Sequence, residues 1–141
     1  MTRPVPILDA AQLAALFERA FPGSAQNLVI EEIAPGRVHM IGRYNAGMLR
    51  PGGVISGPSL VSLADTAAYA IVLAHVGERL MAVTSNLNIH FLKGAAPGDI
   101  HAEAELLRLG ARSAVCDVRL WTEAPDVLAA HATVAYSLPP A

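Results

Sequence analysis

Between Pro58 and His75 the sequence leaves almost no wet face for a helix to show. Leu60, Leu63, Ala64, Ala67, Ala68, Ile71 and Val72 are joined by Val61, Ala70 and Leu73, so apolar residues occupy nearly every direction around the axis. A helix apolar nearly all round is a buried helix. Pro58 suits the first helical position, where its missing N–H loses nothing, which makes Gly57 the expected N-cap; Gly77 suits the end. The run Leu60 to Val76 also raises the question of a membrane span. Asp65 and His75 inside it, and its borderline length, argue against one. The rest of the chain must therefore supply the protein that wraps this segment.

The flanking sequence is suited to that task. Asp9 and Gln12 have capping-box spacing, Leu13, Leu16, Phe17 and Ala20 mark one apolar face, and Pro22-Gly23 ends the short helix. Leu28 to Ile33 and Val38 to Tyr44 read as a hairpin turning at Pro35-Gly36. A loop rich in glycine and proline runs from Asn45 to about Gly57. After the buried helix come four strand-like runs, Met81 to Leu92, Ile100 to Leu109, Ser113 to Thr122 and Val127 to Leu138. In the first, Val83, Leu87, Ile89 and Phe91 alternate with Thr84, Asn86, Asn88 and His90, which assigns the two sets to opposite faces. No helix-length connection separates these strands, so an antiparallel meander is expected. The sum is one α+β domain over residues 1–141: a six-stranded antiparallel sheet, a short helix, and a long helix inside the sheet's curve. Pro139 to Ala141 read as a frayed tail.

Apolar residues make up 53% of the 141 and charged residues 16%. A domain this small cannot hide so much apolar surface alone, so part of it is expected in a subunit interface. A net charge of -2 and ten scattered Lys and Arg give no footprint for nucleic acid or an acidic membrane. Cys116, the one cysteine, excludes an intrachain disulfide and a cysteine-rich zinc site, and reads as a small core residue. Met1 to Ala10 lacks the charged-then-apolar order of an export signal, so a reducing cytoplasm is the expected setting. The five histidines show no carboxylate partners at ligand spacing, and no metal or other cofactor is expected.

The buried helix carries one polar stripe: Ser59, Ser62, Asp65, Thr66 and Tyr69 recur at helical spacing. Asp65 is the one charged side chain between Arg50 and His75. An unpaired carboxylate in apolar surroundings is costly, so Asp65 must meet donors, solvent or a ligand. Structurally it could serve a loop or a partner subunit; chemically it could serve a reaction. Upstream, the Gly57 amide lies at the positive end of the helix dipole, where glycine lets a carbonyl oxygen come close. That arrangement suits an oxyanion. Lys93, Arg108 and Arg112 lie near strand ends, where they could meet phosphates or simply solvate a surface.

Ser56 to Ala70, SGPSLVSLADTAAYA, resembles the signature of the phenylacetate-pathway (PaaI-type) hotdog thioesterases, and Thr84 to Leu92, TSNLNIHFL, resembles the strand that follows it there. The resemblance implies a hotdog fold, with five or six antiparallel strands around a long central helix and two protomers sharing two sites. It implies acyl-CoA as substrate, no cofactor, and dimers that pair into tetramers. Position by position, Gly57 falls on the glycine whose amide holds the thioester oxygen, and Asp65 on the catalytic carboxylate. Thr84 falls near a hydroxyl residue that helps hold the attacking water from the partner subunit. Two departures stand out. Ser56 and Pro58 replace the family's histidine and second glycine, and Arg50 stands where relatives carry Asn or Gln, with Asn45 close by. Tyr69 and the alanines beside it suggest room for a medium-sized or aromatic acyl chain.

The resemblance leaves Asp65 open as general base toward water or as nucleophile toward the carbonyl. Two other readings compete with hydrolysis. A hotdog acyl-thioester hydratase or dehydratase would need a titratable acid–base partner near the helix start, where Ser56 stands. A non-catalytic acyl-CoA-binding or sensing protein would bind thioesters without releasing thiol.

Overall fold

The computed structural model describes residues 3–140. Ala141 of the expected tail and Met1-Thr2 of the opening segment lie outside the described residues. Helix α1 (Ala10–Ala20) starts as its spacing predicts: the Asp9 carboxylate accepts from the Gln12 amide at 2.8 Å, and the Gln12 side chain accepts from the Asp9 amide at 2.9 Å. Leu13, Leu16 and Phe17 are its buried face. Strands β1 (Leu28–Ala34) and β2 (Arg37–Gly42) form the expected hairpin, with Gly36 at φ 68° in the turn. The glycine-rich loop contains a two-residue ladder of β3 (Leu49–Arg50) and β4 (Val54–Ile55). Gly52 and Gly53, at φ 102° and 75°, make its tight turn in a region that side chains disfavour.

Helix α2 (Gly57–Val76) is the core. By length and composition it could cross a membrane, but most of it lies buried in this fold. Four further strands follow: β5 (Val83–Phe91), β6 (Ile100–Leu109), β7 (Ser113–Trp121) and β8 (Ala130–Ser137). The six long strands form one antiparallel sheet in the order β1-β2-β6-β7-β8-β5. Alanines make the fit between helix and sheet. Ala64, Ala67, Ala68 and Ala74 on α2 are fully buried, as are Ala102, Ala104, Ala130 and Ala132 on the sheet's inner face. Small side chains on both surfaces let the helix lie close and still fill the space.

The sheet corrects the expected meander. Strands β6, β7 and β8 do follow one another, but β5 pairs with β8 and forms an edge. The chain thus passes from β5 to β6 across the breadth of the sheet. Residues 92–99 allow this because they run as loop, with the Ala95 carbonyl accepting from the Ile55 amide. The tail is also less free than expected: the Arg79 guanidinium donates to the Pro139 carbonyl, and the Leu138 amide to the Arg112 carbonyl.

Candidate active site

Asp65 sits two turns into α2, on the stripe that the sheet leaves half-open. Two hydroxyls meet its Oδ1: Thr84 Oγ1 donates at 2.6 Å and Tyr136 OH at 2.8 Å. The Tyr136 hydroxyl also lies 3.2 Å from the Asp65 carbonyl oxygen. Thr84 and Tyr136 are register partners across β5 and β8. Strict alternation would have turned Thr84 outward with Asn86 and Asn88. A bulge between Thr84 and Asn86 adds one residue and turns Thr84 toward the helix. Sequence alternation cannot show a bulge, so the common face expected for Thr84, Asn86 and Asn88 is not the one observed. The same geometry has Thr84 bonding the Asp65 of its own chain.

The carboxylate opens into a cavity of about 440 Å³ whose far wall is aromatic and aliphatic: Phe17, Phe21, Leu28, Tyr69 and Leu80. The Tyr69 ring lies 5.9 Å from Phe17, 6.1 Å from Phe21 and 5.8 Å from Tyr136, so one aromatic row runs from α1 to the carboxylate. The Tyr69 hydroxyl is spent on the Leu80 carbonyl at 2.8 Å, and Thr66 Oγ1 on the Ser62 carbonyl at 2.7 Å. Among the described residues, Asp65 is the one carboxylate lining this cavity. Burial pushes the Tyr136 phenol well above its ordinary value, and the hydrogen bond and charge of Asp65 push the same way against an opposing contribution from Thr84. Burial also raises Tyr69. Both rings stay protonated at neutral pH.

The start of α2 lies elsewhere. Ser56, not Gly57, is the N-cap: its hydroxyl accepts from the Ser59 amide at 3.4 Å, and Gly57 is the first helical residue. The reason is local, because a serine hydroxyl can bond the N3 amide and glycine offers no side chain for it. Ser56 also touches the Ser59 hydroxyl at 2.9 Å, and the Leu60 amide reaches the Ser56 carbonyl at 3.3 Å. Pro58 has no N–H, so Gly57 holds the uncommitted amide of this turn. The Phe91 ring lies beside it, 3.4 Å from where a Cβ would stand. Gly57 and Asp65 are eight residues apart, about 12 Å along the axis, so one subunit cannot place both on a single carbonyl.

The remaining expected residues are dispersed. Asn45 is exposed at the start of a short 3-10 turn, and Arg50 is exposed with Nε 3.1 Å from the Pro51 carbonyl. Pro58 lines a second pocket, of about 410 Å³, with Ser59, Ser62 and Thr66. Lys93 pairs with Glu123 at 3.5 Å beyond the end of β7, whereas Arg112 precedes its start. At strand rise these two cations lie roughly 30 Å apart in one subunit, too far to share a phosphate. Arg108, also exposed, belongs to the Arg112 end.

Three site residues named from the sequence thus converge: Asp65, Thr84 and Tyr69. Tyr136 was missed, because a tyrosine in an alternating strand reads as core. The histidines were also misread as solitary. His131 bonds Asp117 across β7 and β8, and His39 lies 2.9 Å from His101 on β2 and β6, both pairs on the sheet's outer face. Among the described residues, no three His, Cys, Asp or Glu side chains gather as a metal site would require. Burial, then the charges of Asp117 and Asp65, push the Cys116 thiol up to about 12, which leaves it an inert core residue.

A six-stranded antiparallel sheet around one long central helix is the hotdog fold, and comparison with known proteins agrees. The thioesterase superfamily profile matches residues 52–129, the span from the loop before α2 to the start of β8. The chain belongs to the thioesterase superfamily, and thioester hydrolysis in general is the chemistry of that membership. A candidate thioesterase from a Silicibacter species is 39% identical, with 96% of this chain and 94% of that one covered at a TM-score of 0.87. A mutant of the thioesterase PA1618 of Pseudomonas aeruginosa is 20% identical over 99% and 100%, with a TM-score of 0.83. A mutant of the phenylacetic acid degradation protein PaaI of Thermus thermophilus is 24% identical over 82% and 96%, with a TM-score of 0.70. These last two share the fold. No curated protein sequence gives a significant match.

Proposed function

We propose that the protein hydrolyses acyl-CoA thioesters to a free acid and CoA, at a site built by Asp65 of one protomer and the partner subunit's Gly57. The observation that carries this reading is the Asp65 carboxylate, held by two hydroxyls and facing an apolar cavity sized for an acyl group. The pairing of subunits follows from the course of β5. This edge strand carries Thr84, beside Asp65, at its start and Phe91, beside Gly57, at its end. If β5 pairs antiparallel with a second copy of itself, the Thr84 end of one faces the Phe91 end of the other. Asp65 then approaches the partner subunit's Gly57, which closes the gap that one subunit leaves open.

In this reading the Gly57 amide stabilises negative charge on the thioester oxygen, with the helix dipole behind it. Asp65 takes a proton from water, the water oxygen bonds to the carbonyl carbon, and the C–S bond breaks. The leaving thiolate recovers the proton from the Asp65 carboxylic acid, so carboxylate and charge are restored. Attack by Asp65 itself, through a mixed anhydride, uses the same oxygen and gives the same products. The aromatic row favours a medium-sized or ring-bearing acyl chain. CoA phosphates would meet Arg50, Arg112 or Lys93, whichever the second subunit brings to the cavity, with Asn45 close by. The protein would act in the cytoplasm without a cofactor, metal, nucleic acid or membrane, as a homodimer or a pair of dimers.

Incubation with a panel of acyl-CoAs, read by free thiol, tests the activity. Release with turnover supports it, and tight binding without release would mean a sensor. Asp65→Asn should keep the fold and CoA binding while lowering kcat by roughly 10²–10⁴-fold, the usual scale of a general base. A normal rate per folded Asp65→Asn molecule, with reduced thermal stability, would make Asp65 structural.

A further inference from the structure

Both hydroxyls that reach Asp65 reach the same oxygen. Thr84 Oγ1 and Tyr136 OH donate to Oδ1, and no described residue donates to Oδ2. A free carboxylate can turn about its last bond and exchange its oxygens. Two donors from two strands, fixed to each other by the β5–β8 register, hold one orientation. We propose that Tyr136 is a positioning residue for the reaction, which with Thr84 fixes Oδ1 and leaves Oδ2 as the oxygen that meets water or substrate.

Three features support a role beyond filling the core. The Tyr136 hydroxyl could satisfy itself on the Asp65 carbonyl, yet its shorter contact is to the carboxylate, 2.8 Å against 3.2 Å. The bulge in β5 weakens the edge strand locally, and what it gains is the inward turn of Thr84 onto that same oxygen. The Tyr136 ring also belongs to the aromatic row, 5.8 Å from Tyr69, so the wall that would receive the acyl chain also fixes the carboxylate. The buried phenol remains a donor throughout the working pH range.

This inference rests on Asp65 as the reacting carboxylate, and its test separates the two. Tyr136→Phe keeps the ring and its packing and removes one donor. In Tyr136→Phe, kcat should fall by roughly tenfold while KM and the thermal midpoint hold. Thr84→Val should act in the same direction. Asp65→Asn leaves no reacting carboxylate to position, so adding Tyr136→Phe to it should cost little further rate. An unchanged kcat in Tyr136→Phe, or a fall in kcat that goes with an equal loss of folded protein, would overturn the positioning role. A full rate in Asp65→Asn alone would instead overturn Asp65 as the reacting group.

Discussion

At the first turn of α2, Ser56 binds the Ser59 amide and Gly57 keeps its own. An N-cap serine replaced by alanine costs typically about 1 kcal/mol, so Ser56→Ala should lower urea-unfolding stability by that amount and leave kcat nearly unchanged. A fall in kcat with stability intact would instead place Ser56 on the substrate. Pro58 at the first helical position points to Gly57 as the cap; Pro58 stands second in the helix, so the cap falls one residue earlier, on Ser56. Asp65 was legible because a lone charge on an apolar helix needs an explanation. Tyr136 was not, because its partner lies 71 positions away and hydrogen bonds across a sheet leave no local pattern. Cys116 stays protonated and buried, so a thiol assay on the folded enzyme reads released CoA.

At the scale of elements, the α1 capping box, the hairpin and the strand runs were readable because each depends on neighbours in sequence. The place of β5 was not. Which strand an edge strand joins depends on how the sheet curves around α2, and the run Val83–Phe91 carries no sign of β8. The far end of α2 has its own anchor. His75 is buried, its Nε2 accepts from the Gly36 amide at 2.9 Å, and its Nδ1 lies 2.8 Å from the Ile71 carbonyl. Burial lowers its pKa below 6.5, against a smaller opposing effect of the Ile71 bond. His39 shifts the same way, by burial and then by His101. A histidine held neutral in the fold binds its proton more readily when unfolded. Its contribution is complete above about pH 6.5 and fades as pH falls through the lowered folded value. Denaturant midpoints should therefore drop between about pH 7 and pH 5, and His75→Gln, which keeps an acceptor for Gly36, should flatten the drop. An equal drop in His75→Gln would assign the acid sensitivity elsewhere.

At the scale of the whole molecule, four of the eight large apolar side chains that are more than half exposed among the described residues lie along one edge. Met81, Val83, Phe91 and Leu92 are all more than half exposed, and they mark the start and end of β5. An uncovered edge strand with such side chains invites pairing with another strand. Covering it with a second copy accounts at once for the apolar excess in the composition and for the separation of Gly57 from Asp65. The most direct test of a shared site is complementation between Asp65→Asn and Gly57→Val. Each homodimer should be nearly inactive. When the two are unfolded together and refolded as a mixture, half the dimers should be hybrids in which one site carries both lesions and the other none. Symmetry then predicts recovery of roughly one quarter of the parent thioesterase activity. A mixture that refolds into dimers but stays at the level of its inactive components would show that Asp65 and Gly57 do not act on one thioester across the interface.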